Sequence, residues 1–282
     1  MLRGCPIGYI LAGKNPTGTA TRAVLAGFRA LSNEGIQLAV ETRRPAETQG
    51  DDAIGAAPLL LLDPELGRSL SQSQRGEARR ELIAQTTLLR PGDSGAELSR
   101  PGLFAALIVE GALGRQVQTD RGRTLEILVK GDLLRPWQED SRWITESQIN
   151  PLVETRIAML NRYALDSLCK FPLLIEALLE RAFRRVRGAA TQAAFESRAG
   201  MDQRVLFSLW HLADRCGEPA DGDGAMIPLP LTHQMIADLV GAQRTSVSAA
   251  ISRLATAGML SRTEGRGWVL HSASSRLLPA RR

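Results

Sequence analysis

Residues 231–251 have the sequence LTHQMIADLVGAQRTSVSAAI, and this pattern predicts two short helices joined by a tight turn. Thr232 is a good N-cap, because its hydroxyl can accept a hydrogen bond from a backbone N–H that the first helical turn leaves unpaired. Gly241 lies where the chain leaves the first helix, a position that favours left-handed backbone. The second helix is predicted to start near Arg244. Its apolar residues recur at spacings of three and four, at Val247, Ala250, Ile251 and Leu254.

The exposed start of the second helix carries polar side chains that are rich in hydrogen-bond donors. Their lengths suit contacts with base edges and phosphates in a DNA major groove. The candidate DNA contacts are Thr232, His233, Gln243, Arg244, Thr245, Ser246, Ser248 and Arg253. A helical hairpin with an ordinary solvated polar face is the alternative explanation of the same pattern.

The segment after this pair of helices favours DNA binding. Residues 258–270 predict two short strands around a Gly/Arg turn, which would form a wing beside the second helix. From residue 230 to the end there are seven Arg, no Lys, one Asp and one Glu, a net charge of 7 − 2 = +5, and the whole chain is also +5. The positive excess therefore lies entirely in this segment, as expected of a protein that binds the phosphate backbone.

The middle of the chain predicts strands and then helices. Residues 103–165 read as short strands with turns at intervals of about eight to twelve residues, which favours a β-barrel or β-roll. One long amphipathic helix is predicted from Pro172 to Phe195, after helical periodicity begins at Ser167. Its length suits pairing with a second copy across a two-fold axis, although a core helix of a monomer would show the same period. A further helix is predicted over Met201 to Cys216, and residues 218–230 are predicted to be a loop.

Several kinds of site have no support in the sequence. The three Cys are far apart and form no CxxC pair, so neither a disulfide framework nor a zinc or iron–sulfur site is indicated. The three His form no HExxH motif, and the apolar runs are too short to span a bilayer. We therefore expect a cytoplasmic protein that has no metal, no cofactor and no membrane partner.

Residues 1–57 show little periodicity, and we expect a poorly ordered extension. Residues 8–15, GYILAGKN, have the GxxxxGK spacing of a phosphate-binding loop, but Asn15 stands where a Ser or Thr should bind the metal. No nucleophile–base set, paired carboxylates or metal cluster accompanies this broken motif, so we expect no catalytic residues and no enzyme.

The order of roll, long helix, helix-turn-helix and wing resembles the Crp–Fnr family of bacterial transcription regulators over residues 58–272. The resemblance is most specific at residues 229–234 (LPLTHQ), at residues 237–241 (ADLVG) and at Arg244, and residues 109–111 (VEG) and 129–133 (VKGDL) support it. It implies an α+β fold with a double-stranded β-roll (a jelly roll like that of cyclic-nucleotide-binding domains) at 58–166. A long dimerisation helix at 167–199 and a winged helix-turn-helix at 200–282 would follow.

The resemblance also implies a function and partners. A homodimer would regulate transcription by binding pseudo-palindromic double-stranded DNA, with RNA polymerase as a further partner. Carried over by position, Thr232 and His233 contact phosphate, and Arg244 reads a base, most simply a guanine. Thr245 and Ala249 replace the acidic and basic residues that the best-known members use there, so the operator is expected to differ from theirs.

The sensor end departs further from the family pattern. After the turn that corresponds to Gly131, cyclic-nucleotide-binding members have a Gly-Glu pair and later an Arg-Ser/Thr-Ala sequence. Residues 131–140 of this chain read GDLLRPWQED and contain neither element. We expect an unknown small-molecule effector, with Gly131, Asp132, Arg135 and Trp137 as candidate contacts, although Trp137 could instead fill the roll. A second hypothesis stays open at this point: a small-molecule-binding sensor whose DNA-binding module is vestigial.

Overall fold

The computed structural model describes residues 55–95, 98, 102–120, 122–135, 146–196, 199–263, 265 and 267–277. The GxxxxGK stretch and most of the predicted N-terminal extension lie outside these residues. The last three residues of that extension, 55–57, belong to the first strand, β1, which spans Gly55–Pro58 and pairs with the next strand. The described fold therefore begins before the predicted boundary.

The N-terminal half is a β-roll flanked by short helices. The helices are α1 (Leu59–Leu62) and α2 (Gln72–Glu81), with a 3-10 turn at Pro64–Gly67 between them. The remaining strands are β2 (Ile83–Leu89), β3 (Leu103–Glu110), β4 (Ala112–Thr119), β5 (Gly122–Val129), β6 (Leu133–Leu134), β7 (Glu146–Pro151) and β8 (Thr155–Asn161). They form two antiparallel sheets with the orders β1-β2-β8-β3-β6 and β5-β4-β7. The predicted α+β roll is thus confirmed.

The roll is held together by strands whose two faces are both buried. Along β3, Ala106 and Ile108 point into the roll interior with Leu113 of β4, while Ala105 and Leu107 pack against the flanking helices. Because successive side chains of a strand point to opposite faces, both sets of residues are apolar. This explains why β3 reads as a continuous hydrophobic run rather than as an alternating one.

Three helices connect the roll to the C-terminal domain: α3 (Arg162–Leu168), α4 (Pro172–Glu196) and α5 (Met201–Cys216). The bounds of α5 and the start of α4 agree with the prediction. The prediction that helical structure begins at Ser167 was wrong, because α3 already starts at Arg162. The side chain of Asn161 accepts a hydrogen bond from the backbone N–H of Ala164 at 3.0 Å and caps the helix at the point where β8 ends.

The C-terminal domain consists of β9 (Glu218–Ala220), β10 (Gly224–Ile227), α6 (His233–Leu239), α7 (Arg244–Thr256), β11 (Leu260–Arg262) and β12 (Trp268–Leu270), followed by a 3-10 helix at Ser272–Leu277. The prediction of a loop over residues 218–230 was wrong. A hairpin of β9 and β10 lies there and joins the wing in one sheet of order β11-β12-β10-β9. Gly222 makes the turn at φ +65°, and Pro219 is tolerated because β9 is an edge strand.

The roll and the C-terminal domain share a hydrophobic core. Leu125, Ile127 and Val129 of β5 face outward from the roll and belong to the same buried cluster as Val205 and Leu209 of α5. The helices that carry the helix-turn-helix are therefore packed on the outer face of β5. Within the described residues, no helix is both long enough and apolar enough to cross a membrane.

Candidate nucleic-acid interface

The helix-turn-helix has the local features that its sequence predicts. Thr232 caps α6, since its hydroxyl accepts a hydrogen bond from the Met235 N–H at 3.2 Å. Gly241 adopts φ +60° in the turn, in the left-handed region that glycine enters without strain. The predicted apolar face of α7 is buried against α5 and α6, at Val247, Ala250, Ile251 and Leu254.

The start of α7 presents most of the predicted DNA contacts to solvent. Four of them are exposed at consecutive positions: Gln243, Arg244, Thr245 and Ser246. Ser248 is half-buried, and its Oγ lies 2.9 Å from Nδ1 of His233, the first residue of α6. The structure therefore brings together the residues at the start of both helices, with Thr232 exposed beside them.

His233 lies in a basic, partly buried environment. Its ring centroid is 5.9 Å from that of Trp268 in the wing. Burial lowers the pKa of His233, and the positive charges of Arg262 and Arg244 lower it further. Without a bound anion, the imidazole is therefore mostly neutral at pH 7, a hydrogen-bonding group rather than a cation.

The wing is anchored to Leu231, the residue before the N-cap of α6. The guanidinium of Arg262 donates to the carbonyl oxygen of Leu231 at 2.8 Å, and the indole N–H of Trp268 donates to the same oxygen at 2.9 Å. Arg262 also lies over the Trp268 ring, 4.4 Å from its centroid. These contacts fix the wing beside the N-terminus of α6, next to the candidate DNA contacts.

Arg253 is placed apart from the other candidate DNA contacts. It follows Arg244 by nine residues, about two and a half helical turns, so the two side chains leave opposite sides of α7. Its Nε donates to Oδ2 of Asp202 in α5 at 3.1 Å. This contact raises the pKa of Arg253 above the ordinary value of an arginine and links α7 to α5.

An ion pair between the roll and α6 was not predicted. Nε of Arg123 in β5 lies 2.9 Å from Oδ2 of Asp238, and the amide of Gln234 donates to the other oxygen of that carboxylate at 2.7 Å. Asp238 is buried. The pair joins the tip of the β4–β5 hairpin to the first helix of the helix-turn-helix.

A cavity of about 1040 Å³ lies between β5, α4 and α5. Arginines on its wall are paired with carboxylates of neighbouring elements. Arg185 Nε lies 2.7 Å from Glu126 Oε1, and Arg181 Nη2 lies 3.0 Å from Asp63 Oδ1. These pairs hold α4 against the roll.

Two of the four candidate effector contacts line this cavity, Gly131 and Asp132. Gly131 adopts φ +89° in the turn after β5. Asp132 is buried, accepts a hydrogen bond from the Val129 N–H at 2.8 Å and pairs with Arg215 of α5. Arg135 is exposed and is not among the described residues that line the cavity, and Trp137 lies outside the described residues.

Two further titratable side chains near the cavity have pKa values shifted by burial. His211 of α5 lies against Gly188 of α4, and burial followed by the charge of Arg215 lowers its pKa. Burial raises the pKa of the Cys216 thiol to about 11, so it is protonated at pH 7. Across the described residues, no group of three or more His, Cys, Asp or Glu side chains could hold a metal ion.

Solved structures that are similar to this one include the following two. FixK2 from Bradyrhizobium japonicum has a TM-score of 0.56 and 21% identity, and the match covers 71% of this chain and 100% of that chain. CooA from Carboxydothermus hydrogenoformans, solved as a mutant, has a TM-score of 0.52 and 17% identity, with coverage of 78% and 94%. At these identities the likeness establishes the fold.

Sequence comparison establishes the family. The profile of the Crp-like helix-turn-helix domain matches residues 203–274, which include α5, the helix-turn-helix and the wing. The CRP-like cAMP-activated global transcriptional regulator of Mycobacterium tuberculosis is 31% identical over 180 residues, which are 63% of this chain and 79% of the relative. The chain is therefore a CRP-like transcription regulator with a helix-turn-helix DNA-binding domain, and it belongs to the Crp–Fnr family.

Proposed function

We propose that the chain is a homodimer that binds a pseudo-palindromic operator and reads it with the start of α7. The observation that carries this proposal is the cluster at the start of the two helices, where His233 contacts Ser248 and exposed Arg244 is close enough to lower the pKa of His233. Donors at these positions suit a recognition helix that enters the major groove by its N-terminal end. The remaining DNA contacts of the proposal are Gln243, Ser246, Ser248 and Arg253.

The long helix α4 supplies the proposed dimer interface. Leu179, Phe183 and Val186 are exposed apolar residues spaced by four and three, so they form one stripe along the helix. Arg181 and Arg185 point to the opposite side, toward the roll. A second copy of α4 can bury the apolar stripe without disturbing those ion pairs. A two-fold axis at this interface would let each of the two α7 helices bind one half-site of the operator.

The cavity beside the Gly131–Asp132 turn is the proposed effector site. Its lining includes five acidic and five basic side chains, so with neutral His211 the formal charge is balanced: Asp63, Glu65, Glu126, Asp132 and Asp214 against Lys130, Arg181, Arg184, Arg185 and Arg215. A balanced lining suits a polar ligand without a strong net charge better than a cyclic phosphate. Ligand binding between α4, α5 and the roll would shift the dimer geometry and the spacing of the recognition helices. RNA polymerase is the proposed partner at the promoter.

Sedimentation analysis tests the dimer interface. The wild-type chain is expected to sediment as a dimer, and Phe183→Glu as a monomer, because the charge would be buried in the apolar stripe. Thr191→Glu, which introduces the same charge at an exposed position of α4 about a quarter to a third of a turn away from the stripe, is the matched control and should stay dimeric. A wild-type monomer, or a dimer that Phe183→Glu leaves intact, would contradict an α4 interface.

Selection of bound duplexes from a random DNA pool, with the full-length chain, tests the proposed function itself. The expected product is a pseudo-palindrome whose half-site centres are about 34–36 Å apart, one turn of DNA. Recovery of no enriched sequence would contradict the proposal.

A further inference from the structure

The solvent-facing side of α7 has an unusual composition for a recognition helix. Thr245, Ala249, Ser252 and Thr256 are all exposed and are spaced by four, three and four residues, so they form one stripe, which we call the outer stripe. The helix, of sequence RTSVSAAISRLAT, contains no Asn, Gln, Asp, Glu or Lys. From Arg244 onward it therefore lacks the side chains that pair bidentately with adenine or accept a hydrogen bond from cytosine, and Gln243 at the N-cap is the nearest such side chain.

Hydroxyl groups on this side of α7 are already hydrogen-bonded within the protein. Ser252 Oγ donates to the Ser248 carbonyl oxygen at 3.0 Å, and Thr256 Oγ1 donates to the Ser252 carbonyl oxygen at 2.9 Å. Ser248 Oγ is bonded to His233. Because a hydroxyl has one proton to donate, Ser252 and Thr256 have no donor left for a base.

The two charged residues of α7 are not equivalent. Arg253, on the side of the helix opposite Arg244, is held by Asp202. Arg244 is exposed at the first helical position, and within the described part of the chain it has no ion-pair partner. After these groups are assigned, α7 offers bases the Arg244 guanidinium, the methyl groups of Thr245 and Ala249 and the hydroxyls of Thr245 and Ser246, with Gln243 just before the helix as its N-cap.

Resting on the proposed operator binding, we infer that α7 reads each half-site through one guanine at Arg244 and through thymine methyl groups at Thr245 and Ala249. The small side chains of the outer stripe let the helix backbone lie close to the floor of the major groove. At that depth the Cβ of Ala249 and the Cγ2 of Thr245 reach van der Waals distance of C5-methyl groups, the contact by which short apolar side chains distinguish thymine. The operator half-site thus contains a guanine, and thymines at the positions that the two methyl groups contact.

Replacement of thymine by deoxyuridine tests this inference, because it removes the C5-methyl and leaves base pairing intact. The probes are duplexes of the selected operator with one thymine replaced at a time, and the proteins are full-length wild type, Ala249→Gly and Thr245→Ser. For wild type, uridine at the contacted positions should weaken binding about three- to fivefold, the effect of losing one buried methyl group. Each variant should lose the penalty at the one position that its methyl contacts and keep it at the other.

The comparison of thymine with uridine within each protein cancels any general effect of a variant on folding. Ala255→Gly is a matched control for the helix propensity cost of glycine, and it should keep both penalties. Uridine penalties that are absent, or that all three proteins share, would overturn thymine reading while the selected operator still upheld the proposed function. A selected half-site without thymine would also overturn it, whereas failure to select any sequence would contradict the proposed function itself.

Discussion

The arginines of the cavity and the arginine at the start of α7 have opposite surroundings. Arg181 and Arg185 each lie against a carboxylate of the roll side, and Arg215 pairs with buried Asp132. Arg244 is exposed, and the described residues offer it no carboxylate. A paired guanidinium cross-links elements of the fold, whereas an unpaired one at a helix start is available for a phosphate or a base. Arginine content alone therefore does not locate the DNA-binding surface.

The largest effect is expected where a cavity arginine loses its partner. Asp63→Ala leaves the largely buried Arg181 charge without its carboxylate, and the free energy of unfolding should fall by about 3–5 kcal/mol. Urea denaturation measures this change. Glu65→Ala is the control, because its partner Arg68 is mostly exposed, and it should cost less than about 1 kcal/mol. If the two variants lost the same free energy of unfolding, the ion pair of Arg181 would contribute no more to stability than an exposed pair, which would contradict its structural role.

The second largest effect is expected on operator affinity when Arg244 is replaced. Arg244→Ala should weaken binding to the selected operator by about 1–3 kcal/mol and relax the preference at one base position, because a bidentate contact to guanine is lost. Its thermal unfolding should be unchanged, since no described residue pairs with it.

Arg253→Ala on the same helix gives the matched comparison for Arg244. It removes the Asp202 contact and should cost stability, with a smaller loss of operator affinity than Arg244→Ala. If Arg253→Ala impaired operator binding more than Arg244→Ala did, the assignment of Arg244 rather than Arg253 as the chief base reader would be wrong.

The smallest effect is a pH dependence through His233. Its pKa in the folded chain is below the ordinary value of about 6.5, so the unfolded state binds the proton more readily and stability should fall as the pH falls below that value. The pKa of His211 is also lowered, so its protonation likewise reduces stability as the pH falls. A DNA phosphate at His233 would instead favour the imidazolium, so operator affinity should rise over the same range.

Titration of both quantities between pH 8 and pH 5 separates these opposite slopes. His233→Gln should flatten the pH dependence of operator affinity, while the His211 contribution to stability remains. Operator affinity with the same pH dependence in wild type and His233→Gln would exclude a phosphate contact at this histidine.

The helix-turn-helix was predictable because its determinants are local. The Thr232 cap, the positive φ of Gly241 and the spacing of apolar residues in α7 all lie within a few residues of the structure they specify. The contacts between the roll and the DNA-binding domain were not predictable. Arg123 and Asp238 are 115 residues apart, and no sequence spacing signals their meeting. The β9–β10 hairpin was missed because strands this short, with a proline, have no detectable alternation.

In the roll, too, the sequence did not reveal a contact that depends on tertiary packing. Gly131 and Asp132 were predicted from resemblance as effector contacts, and the turn that contains them does line the cavity. The bonds of Asp132 to the Val129 N–H and to Arg215 depend on how α5 packs on the roll, so residue type could not reveal this structural role.

The C-terminal domain is proposed to read DNA sequence rather than to be a vestige beside a small-molecule sensor. The most direct test is the ratio of the affinities of the full-length chain for the selected operator and for a scrambled duplex of the same composition, at the same near-physiological salt. We predict a ratio of about a thousandfold or more, as for specific regulators. A ratio near one, with both affinities falling equally as salt rises, would show phosphate binding alone and would contradict the account.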